Sequence, residues 1–471
     1  MRDVLVWVAA IAAWGGGVWA AYDVLMRGRT PQGTLAWIFA LLAFPPLALP
    51  LYFILGERRF SGYRRGRLRG PRPIDDAARR LTAALDGRVI PTDTDADWRT
   101  LTRLGRIGAT SGNNLELLID GVAFFDALLR EIGTAERYVL VQFYIFRDDR
   151  VGGALGEALC RAAARGVEVS VLYDELGCLT LSADYFQRLR DAGCKCTGFR
   201  AVPRRRKPLR LNFRNHRKIV VVDGRVGFFG GLNVGDEYLG RVPEMGAWRD
   251  THLRVSGPAV LCLQMVFLED WTWANEDMPK VRWDPPPAAG STDVLVLPTG
   301  PADQLDSAAL FFLHMASRAR ERLWVATPYF VPDPGVEGAL QLAALRGVDV
   351  RVIMPRNTDN IIVKWASLCT LEELPQHKVR LFAYERGVMH QKVVVSDDLA
   401  AIGSANLDNR SMRINFELMG VVRDPAVVER VAAMLEKDLE SSREFPPDAW
   451  RRLGRAKRIK ARLASLLGPM L

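Results

Sequence analysis

HRKIVVVDGRVGFFGGLN, running from His216 to Asn233, is answered later in the chain by HQKVVVSDDLAAIGSAN, running from His390 to Asn406. In both, a histidine stands two residues before a lysine, a run of strand formers follows, and an aspartate closes the run. Ile219 to Val222 and Val393 to Val395 are β-formers, so each histidine opens a strand. Side chains two apart on a strand share a face. His216 therefore projects with Lys218, and His390 with Lys392. Asp223-Gly224 is a tight-turn signal, and Arg225 to Phe229 returns as the hairpin partner. That return brings Asn233, and in the second copy Asn406, back toward the histidine. The copies are not equivalent: the second hairpin is one residue shorter, and Gly231 lacks the hydroxyl of Ser404.

Outward from these hairpins the whole chain repeats. Arg137 to Phe146 (RYVLVQFYIF) matches Arg322 to Val331 (RLWVATPYFV). Ala162 to Tyr173 (AAARGVEVSVLY) matches Ala343 to Met354 (AALRGVDVRVIM), a helix end, a glycine stop and a strand. Strands alternating with helices predict an α/β sandwich with the sheet in the middle. Asp284 to Thr292 (DPPPAAGST) reads as the connection between halves, placing two homologous domains at 113–283 and 293–445. If the halves pair about a pseudo-two-fold axis, the two His/Lys/Asn sets converge on one cleft.

The first sixty residues differ in kind. Val4 to Tyr22 and Leu35 to Leu55 carry no charge, and each is long enough to cross about 30 Å of hydrocarbon as a helix. A transmembrane hairpin over 1–60 is the expectation. Pro45, Pro46 and Pro50 leave the second leg either spanning or bent and re-entrant. Arg58, Arg59, Arg64, Arg65, Arg67 and Arg69 follow at once, which by the positive-inside rule puts everything after Leu55 in the cytoplasm. Residues 61–112 read as a basic, polar linker. The end of the chain, 446–471, reads as a basic amphipathic helix, either lying on a membrane or simply solvated.

Composition narrows the chemistry. A formal charge of +10, carried mostly by arginine, calls for anionic partners. Six cysteines without CxxC spacing argue against a zinc or redox centre. A phosphodiester offers two non-bridging oxygens and one bridging oxygen to expel. Two lysines and two asparagine amides can hold the former. One neutral imidazole can attack phosphorus while a second imidazolium protonates the departing alcohol. No metal or other cofactor is needed for that, and none is expected. One HxKxxxxD alone reads more readily as an edge strand with solvated ends; two copies at matching points of a repeat do not.

These residues resemble the phospholipase D superfamily, whose signature is the duplicated HKD motif: His216, Lys218, Asp223 and His390, Lys392, Asp397. Within it, His216 to Tyr238, Trp248 to Leu253 (WRDTHL), Ala326 to Asp333 (ATPYFVPD), His390 to Glu417 and Arg29 to Arg59 are similar to the bacterial cardiolipin synthases. The resemblance implies two α/β/α sandwich domains in pseudo-two-fold arrangement behind a membrane hairpin in the bacterial inner membrane, with the catalytic domains cytoplasmic. It implies phosphatidyl transfer between two phosphatidylglycerol molecules, giving cardiolipin and glycerol through a phosphatidyl-histidine. His216 matches the nucleophile and His390 the general acid/base. Lys218, Asn233, Lys392 and Asn406 match phosphate-binding positions. A downstream carboxylate orients each histidine in the family, and Asp250 and Glu417 occupy matching places. Asp223 and Asp397 then read as turn holders within the motif.

Three other readings stay open. A phospholipase D-type hydrolase, or a transferase with another lipid donor, would use the same residues. A nuclease would use the cation-dense Pro203 to Lys218, yet that run has few aromatics for base stacking, and nucleic acid is not expected as a partner. A lipid-binding scaffold with a decayed site conflicts with two intact motifs. His314 and His377 carry no partner pattern, His252 sits beside Asp250 and reads as merely lining the cleft, and oligomeric state is not legible.

Overall fold

In a computed structural model of the chain, the described residues are 2–28, 31–55, 73–93, 95–199, 213–275, 277–284, 286–358 and 360–468. They fall into two compact units, one built on the N-terminal helices and one on everything from Pro71 onward apart from a segment ending at Phe213.

The N-terminal unit holds three helices, Arg2–Arg27, Pro31–Ala43 and Pro45–Leu55. The second apolar run is therefore not one helix. It breaks at Phe44, because Pro45 and Pro46 have no N–H to give and each proline ring crowds the preceding turn. Pro45 instead starts the next helix, where a missing N–H costs nothing. Pieces of 13 and 11 residues reach about 20 Å or less, short of a bilayer core. Among the described residues, no helix is long and apolar enough to cross a membrane. The three helices pack on one another, with the Tyr52 hydroxyl donating to Asp23 at 2.9 Å inside the bundle. The arginine cluster Arg58 to Arg69 lies outside the described residues.

The larger unit is organised by a single sheet of fifteen strands. In chain order the first half supplies β1 (Thr110–Ile119), β2 (Tyr138–Phe143), β3 (Glu168–Asp174), β4 (Lys195–Phe199), β5 (Ile219–Val222), β6 (Val226–Gly230) and β7 (Thr251–Ser256). The second supplies β8 (Thr292–Thr299), β9 (Arg322–Ala326), β10 (Asp349–Pro355), β11 (Arg380–Tyr384), β12 (Val393–Ser396), β13 (Leu399–Gly403) and β14 (Glu417–Arg423), and β15 (Ser442–Glu444) ends it. Their order across the sheet is β15-β11-β10-β9-β12-β13-β14-β8-β1-β7-β6-β5-β2-β3-β4. Apart from β15, that order reads identically from either end toward the centre. The pseudo-two-fold axis thus runs between β1 and β8, which pair antiparallel across a bulge.

The halves are fused rather than strung. Ala289, in the stretch read as a connection, donates to the Gly112 carbonyl at 3.0 Å and ties itself to the start of β1. Each half keeps its own apolar core. Helix Ala259–Ala274 is mostly apolar and largely buried, with Gln264 and Asp270 as its buried polar positions.

Residues 61–112, read as a linker, contain two helices, Pro73–Ala84 and Ala96–Gly105. Asp95 caps the second by accepting from the Trp98 amide at 2.9 Å. Trp98, Leu101 and Leu104, at i, i+3 and i+6, then sink into the core of the second half. Each such side chain contributes about 1.5–3 kcal/mol when buried. Three apolar residues among polar ones were enough to dock a helix, which composition concealed.

Candidate active site

Both hairpins form where the motif sets them. β5 pairs with β6 from Ile219↔Phe229 to Val222↔Val226, leaving a three-residue turn, and β12 pairs with β13 from Val393↔Ile402 to Ser396↔Leu399, leaving two. That is the missing residue of the second copy.

Asp223 and Asp397, grouped by the motif with the catalytic residues, are not in the site. They stand beyond the far ends of β5 and β12, five steps or about 17 Å along the strand from the lysines. The Asp223 carboxylate accepts from the amides of Glu136 (3.0 Å), Arg137 (2.8 Å) and Tyr138 (2.9 Å). Asp397 does the same with Arg320 (2.8 Å), Glu321 (3.0 Å) and Arg322 (3.0 Å). Each clamps the start of β2 or β9 to its hairpin from a left-handed backbone, φ +53° and +51°. Asp and Asn tolerate that conformation because their short polar chains bond locally.

At the other ends of the strands the halves cross over. The His216 amide donates to the carbonyl of Phe416 at 2.9 Å, and the His390 amide to that of Arg249 at 2.8 Å. Phe416 precedes Glu417 and Arg249 precedes Asp250. Each backbone link therefore delivers the carboxylate of one half to the histidine of the other. Asp250 Oδ2 lies 2.9 Å from His390 Nδ1, and Glu417 Oε1 lies 3.3 Å from His216 Nδ1. A reading of each histidine with the carboxylate downstream in its own half is corrected here: the pairing is crossed.

Electrostatics follow from burial. Both carboxylates are fully buried. Burial works to raise the Glu417 carboxyl, but His216, Lys218 and the Ser404 hydroxyl hold it below its ordinary range. For Asp250, Lys392 and His390 likewise outweigh burial. Such groups are ionised and only accept, so Nδ1 of each ring is the nitrogen that donates to its carboxylate. For His216, burial and then the cations Lys218 and Arg410 outweigh Glu417 and push the ring down to about 4. The ring is neutral at pH 7. Burial also lowers Lys218 to about 8 against the pull of Glu417 and Asp250, the carboxylates of both half-sites. One ammonium feeling both carboxylates joins the half-sites into one electrostatic unit.

The remaining positions fall around this core. Lys218 Nζ donates to the His216 carbonyl at 2.6 Å, and Lys392 Nζ lies 2.8 Å from His390 Nδ1. Asn233 accepts from the Ile145 amide and donates to the Tyr238 hydroxyl, both at 3.2 Å. Asn406 donates to Asp408 at 3.1 Å, while its carbonyl oxygen is buried with no partner among the described residues. His252 is buried behind the site, where its Nδ1 accepts from the Leu232 amide at 3.3 Å. Among the described residues, no cluster of His, Cys, Asp or Glu could hold a metal ion. Of the basic run Pro203 to Lys218, residues up to 212 lie outside the described residues.

The inequality of Gly231 and Ser404 acquires a reason. Ser404 donates to Glu417 Oε2 at 2.6 Å. A Cβ at Gly231 would stand 2.0 Å from Asp250 Oδ1. The shorter carboxylate draws its own backbone in to where the second half has room for a side chain.

Motif reading missed several contributors. Asn415 and Ser411 each donate to Glu417 Oε1 at 3.1 Å, and Asn415 Nδ2 lies 3.2 Å from His216 Nδ1. The Tyr144 ring packs on His216 at 4.1 Å between centroids, and Trp248 on His390 at 5.1 Å. Arg217, between histidine and lysine, is buried and bonds Asp270 (2.8 Å), the Glu417 carbonyl (3.0 Å) and the Thr299 carbonyl (3.0 Å). Its counterpart Gln391 donates to Asp438 at 2.6 Å. Alternation hinted at these two, since the middle residue of HxK must face away from the lysine. Nothing local signalled Asn415.

Comparison with known proteins agrees with this geometry. Residues 128–270 and 312–439 match the family profile described as cardiolipin synthase, PLD-like domain, and 17–57 match a phospholipase D-nuclease N-terminal profile. Cardiolipin synthase A of Pseudomonas putida strain F1 is 43% identical over 97% of this chain and 96% of its own length. Cardiolipin synthase A of Pseudomonas aeruginosa strain LESB58 is 42% identical over 97% and 94%. The phosphatidylserine synthase structure from Haemophilus influenzae, 15% identical, covers 80% of this chain and 100% of its own with a TM-score of 0.60, a likeness of fold.

Proposed function

The chain belongs to the cardiolipin synthase family of phospholipase D-like proteins, and from that premise we propose how its residues transfer a phosphatidyl group. It is a phosphatidyltransferase acting on phospholipids. The donor and acceptor are both phosphatidylglycerol. Neutral His216 attacks phosphorus through Nε2, the P–O bond to glycerol breaks, and His390, entering as the imidazolium with a proton on each nitrogen, gives its Nε2 proton to the departing alkoxide. The hydroxyl of a second phosphatidylglycerol then gives its proton back to His390 and attacks phosphorus. The P–N bond breaks, and cardiolipin and glycerol are the products. Lys218, Lys392, Asn233 and Asn406 neutralise and hold the non-bridging oxygens. Asp250 and Glu417 are positioning residues that fix the tautomer of each ring.

One observation carries this reading: two buried carboxylates, each serving the histidine of the opposite half. Such an arrangement holds each imidazole by its Nδ1, which supports a double displacement at phosphorus carried out through the two Nε2 atoms. We read the protein further as two phospholipase D-type domains, 113–283 and 293–445. The N-terminal helices anchor it in the bacterial inner membrane with the catalytic unit cytoplasmic, and nucleic acid is not a partner.

The test is to trap the intermediate. Full-length protein in vesicles of labelled phosphatidylglycerol should form acid-labile labelled protein and release cardiolipin and glycerol. His216→Ala should abolish the label. Label surviving on His216→Ala overturns the assignment of the nucleophile, and phosphatidic acid as the main product overturns transfer in favour of hydrolysis.

A further inference from the structure

From Arg455 to Leu467 the sequence RAKRIKARLASLL carries five cations and no acid. Residues Arg455–Ser465 form a helix. A helix on a soluble surface turns its large apolar side chains inward. This one does the reverse. Its buried position is Ala461, packed into the core of the second half, while Ile459 is 59% exposed, Leu463 60% and Leu466 75%. At i, i+4 and i+7 those three form one stripe, with Arg455 and Arg462 on the same face. The stripe itself lines a cleft of about 650 Å³ together with Trp450, Arg458 and Glu372, whose carboxylate pairs with Arg462 and leaves the face basic through Arg455, Lys457, Arg458 and Lys460. The neighbouring helix Ile361–Ser367, which packs against this one, adds Ile361 at 61% exposure.

We propose that this face docks on an anionic lipid bilayer, giving the catalytic unit a membrane contact of its own. Charge selects the occupant. Exposed aliphatics flanked by cations sink into the boundary between headgroups and acyl chains while the cations meet anionic headgroups. A second copy of the same face would set cations against cations. The inference rests on the proposed lipid chemistry only for the identity of the surface.

Full-length protein in vesicles carrying a photoactivatable lipid tests it, with labelled peptides mapped by mass spectrometry. With phosphatidylglycerol present, the Arg455 to Leu467 peptide should be labelled at least about 5-fold more than in phosphatidylcholine alone. Combined Arg455→Glu, Lys457→Glu and Leu463→Ser should remove that labelling, yet leave the N-terminal peptides labelled and synthesis in detergent micelles intact. No label on the helix, equal label in both vesicles, or chemical cross-links joining the helix to a second copy would overturn the proposal. Loss of synthesis in wild-type micelles would instead count against the proposed function.

Discussion

Asp250 Oδ2 stands 2.9 Å from Nδ1 of His390, although 140 residues separate them. The carboxylate comes from one half of the repeat and the imidazole from the other, and Glu417 returns the arrangement to His216. Neither half alone supplies both members of either pair.

Crossed pairing separates the two histidines by experiment. With a phosphatidyl ester of p-nitrophenol, the leaving group departs without a proton. Asp250→Asn, which changes the hydrogen-bond partner of His390 and leaves that of His216 in place, should keep the nitrophenol burst, whereas Glu417→Gln should lose it about 10²- to 10⁴-fold. Both should lose steady-state cardiolipin synthesis. A burst lost in Asp250→Asn and kept in Glu417→Gln would reverse the roles.

Gly231→Ala should cripple the enzyme through Asp250. Its Cβ would meet Oδ1 at 2.0 Å, and moving the carboxylate by even an ångström misaims His390, costing about 10²-fold in kcat. Gly153→Ala, where nothing lies within 4 Å of the new Cβ, should leave kcat unchanged and add about 0.5–1 kcal/mol of stability. Thermal melting and initial rates distinguish the two.

The pH profile should bear the mark of burial. With His216 held down to about 4, the acid limb of kcat/KM assigned to the nucleophile should fall well below the ordinary histidine value near 6.5. Lys218, pushed down to about 8, should contribute a loss of activity above that pH, which Lys218→Arg moves upward. Stability follows the same sign. Between about 4 and 6.5 the unfolded chain binds the His216 proton and the folded protein does not, so stability should decline as pH falls through that window. His252, lowered by burial to about 3, acts in the same direction. Denaturant midpoints across pH 4 to 7, with and without His216→Gln, would measure it.

Asp223→Ala and Asp397→Ala should unfold more readily without losing chemistry. Each abandons three backbone amides and a left-handed turn, a loss of about 2–4 kcal/mol. The fraction that stays folded should turn over within several-fold of wild type. A loss of kcat with unchanged melting would place these aspartates at the reacting atoms after all.

Much of this was legible beforehand because it is local or repeated. Strand propensity after His216 and His390, the turn at Asp223 and the duplicated helix–glycine–strand pattern predict the hairpins and the pseudo-symmetry. The helices at Pro73–Ala84 and Ala96–Gly105 were hidden, since their stability comes from what they pack against, helix Ala259–Ala274 for the first and the core of the second half for the second, rather than from their own composition. The break at Phe44 was half visible in Pro45 and Pro46.

What the chain alone determined is therefore its repeat and the identity of the reacting groups, for a two-residue period and an apolar run are properties of neighbouring residues. What only the tertiary structure decided is who serves whom. Asp250 reaches His390, Glu417 reaches His216, and Asn415 joins them, because the antiparallel β1–β8 seam sets each half's motif against the other's. Contacts between strands so far apart in sequence depend on how the sheet closes, which no local pattern encodes.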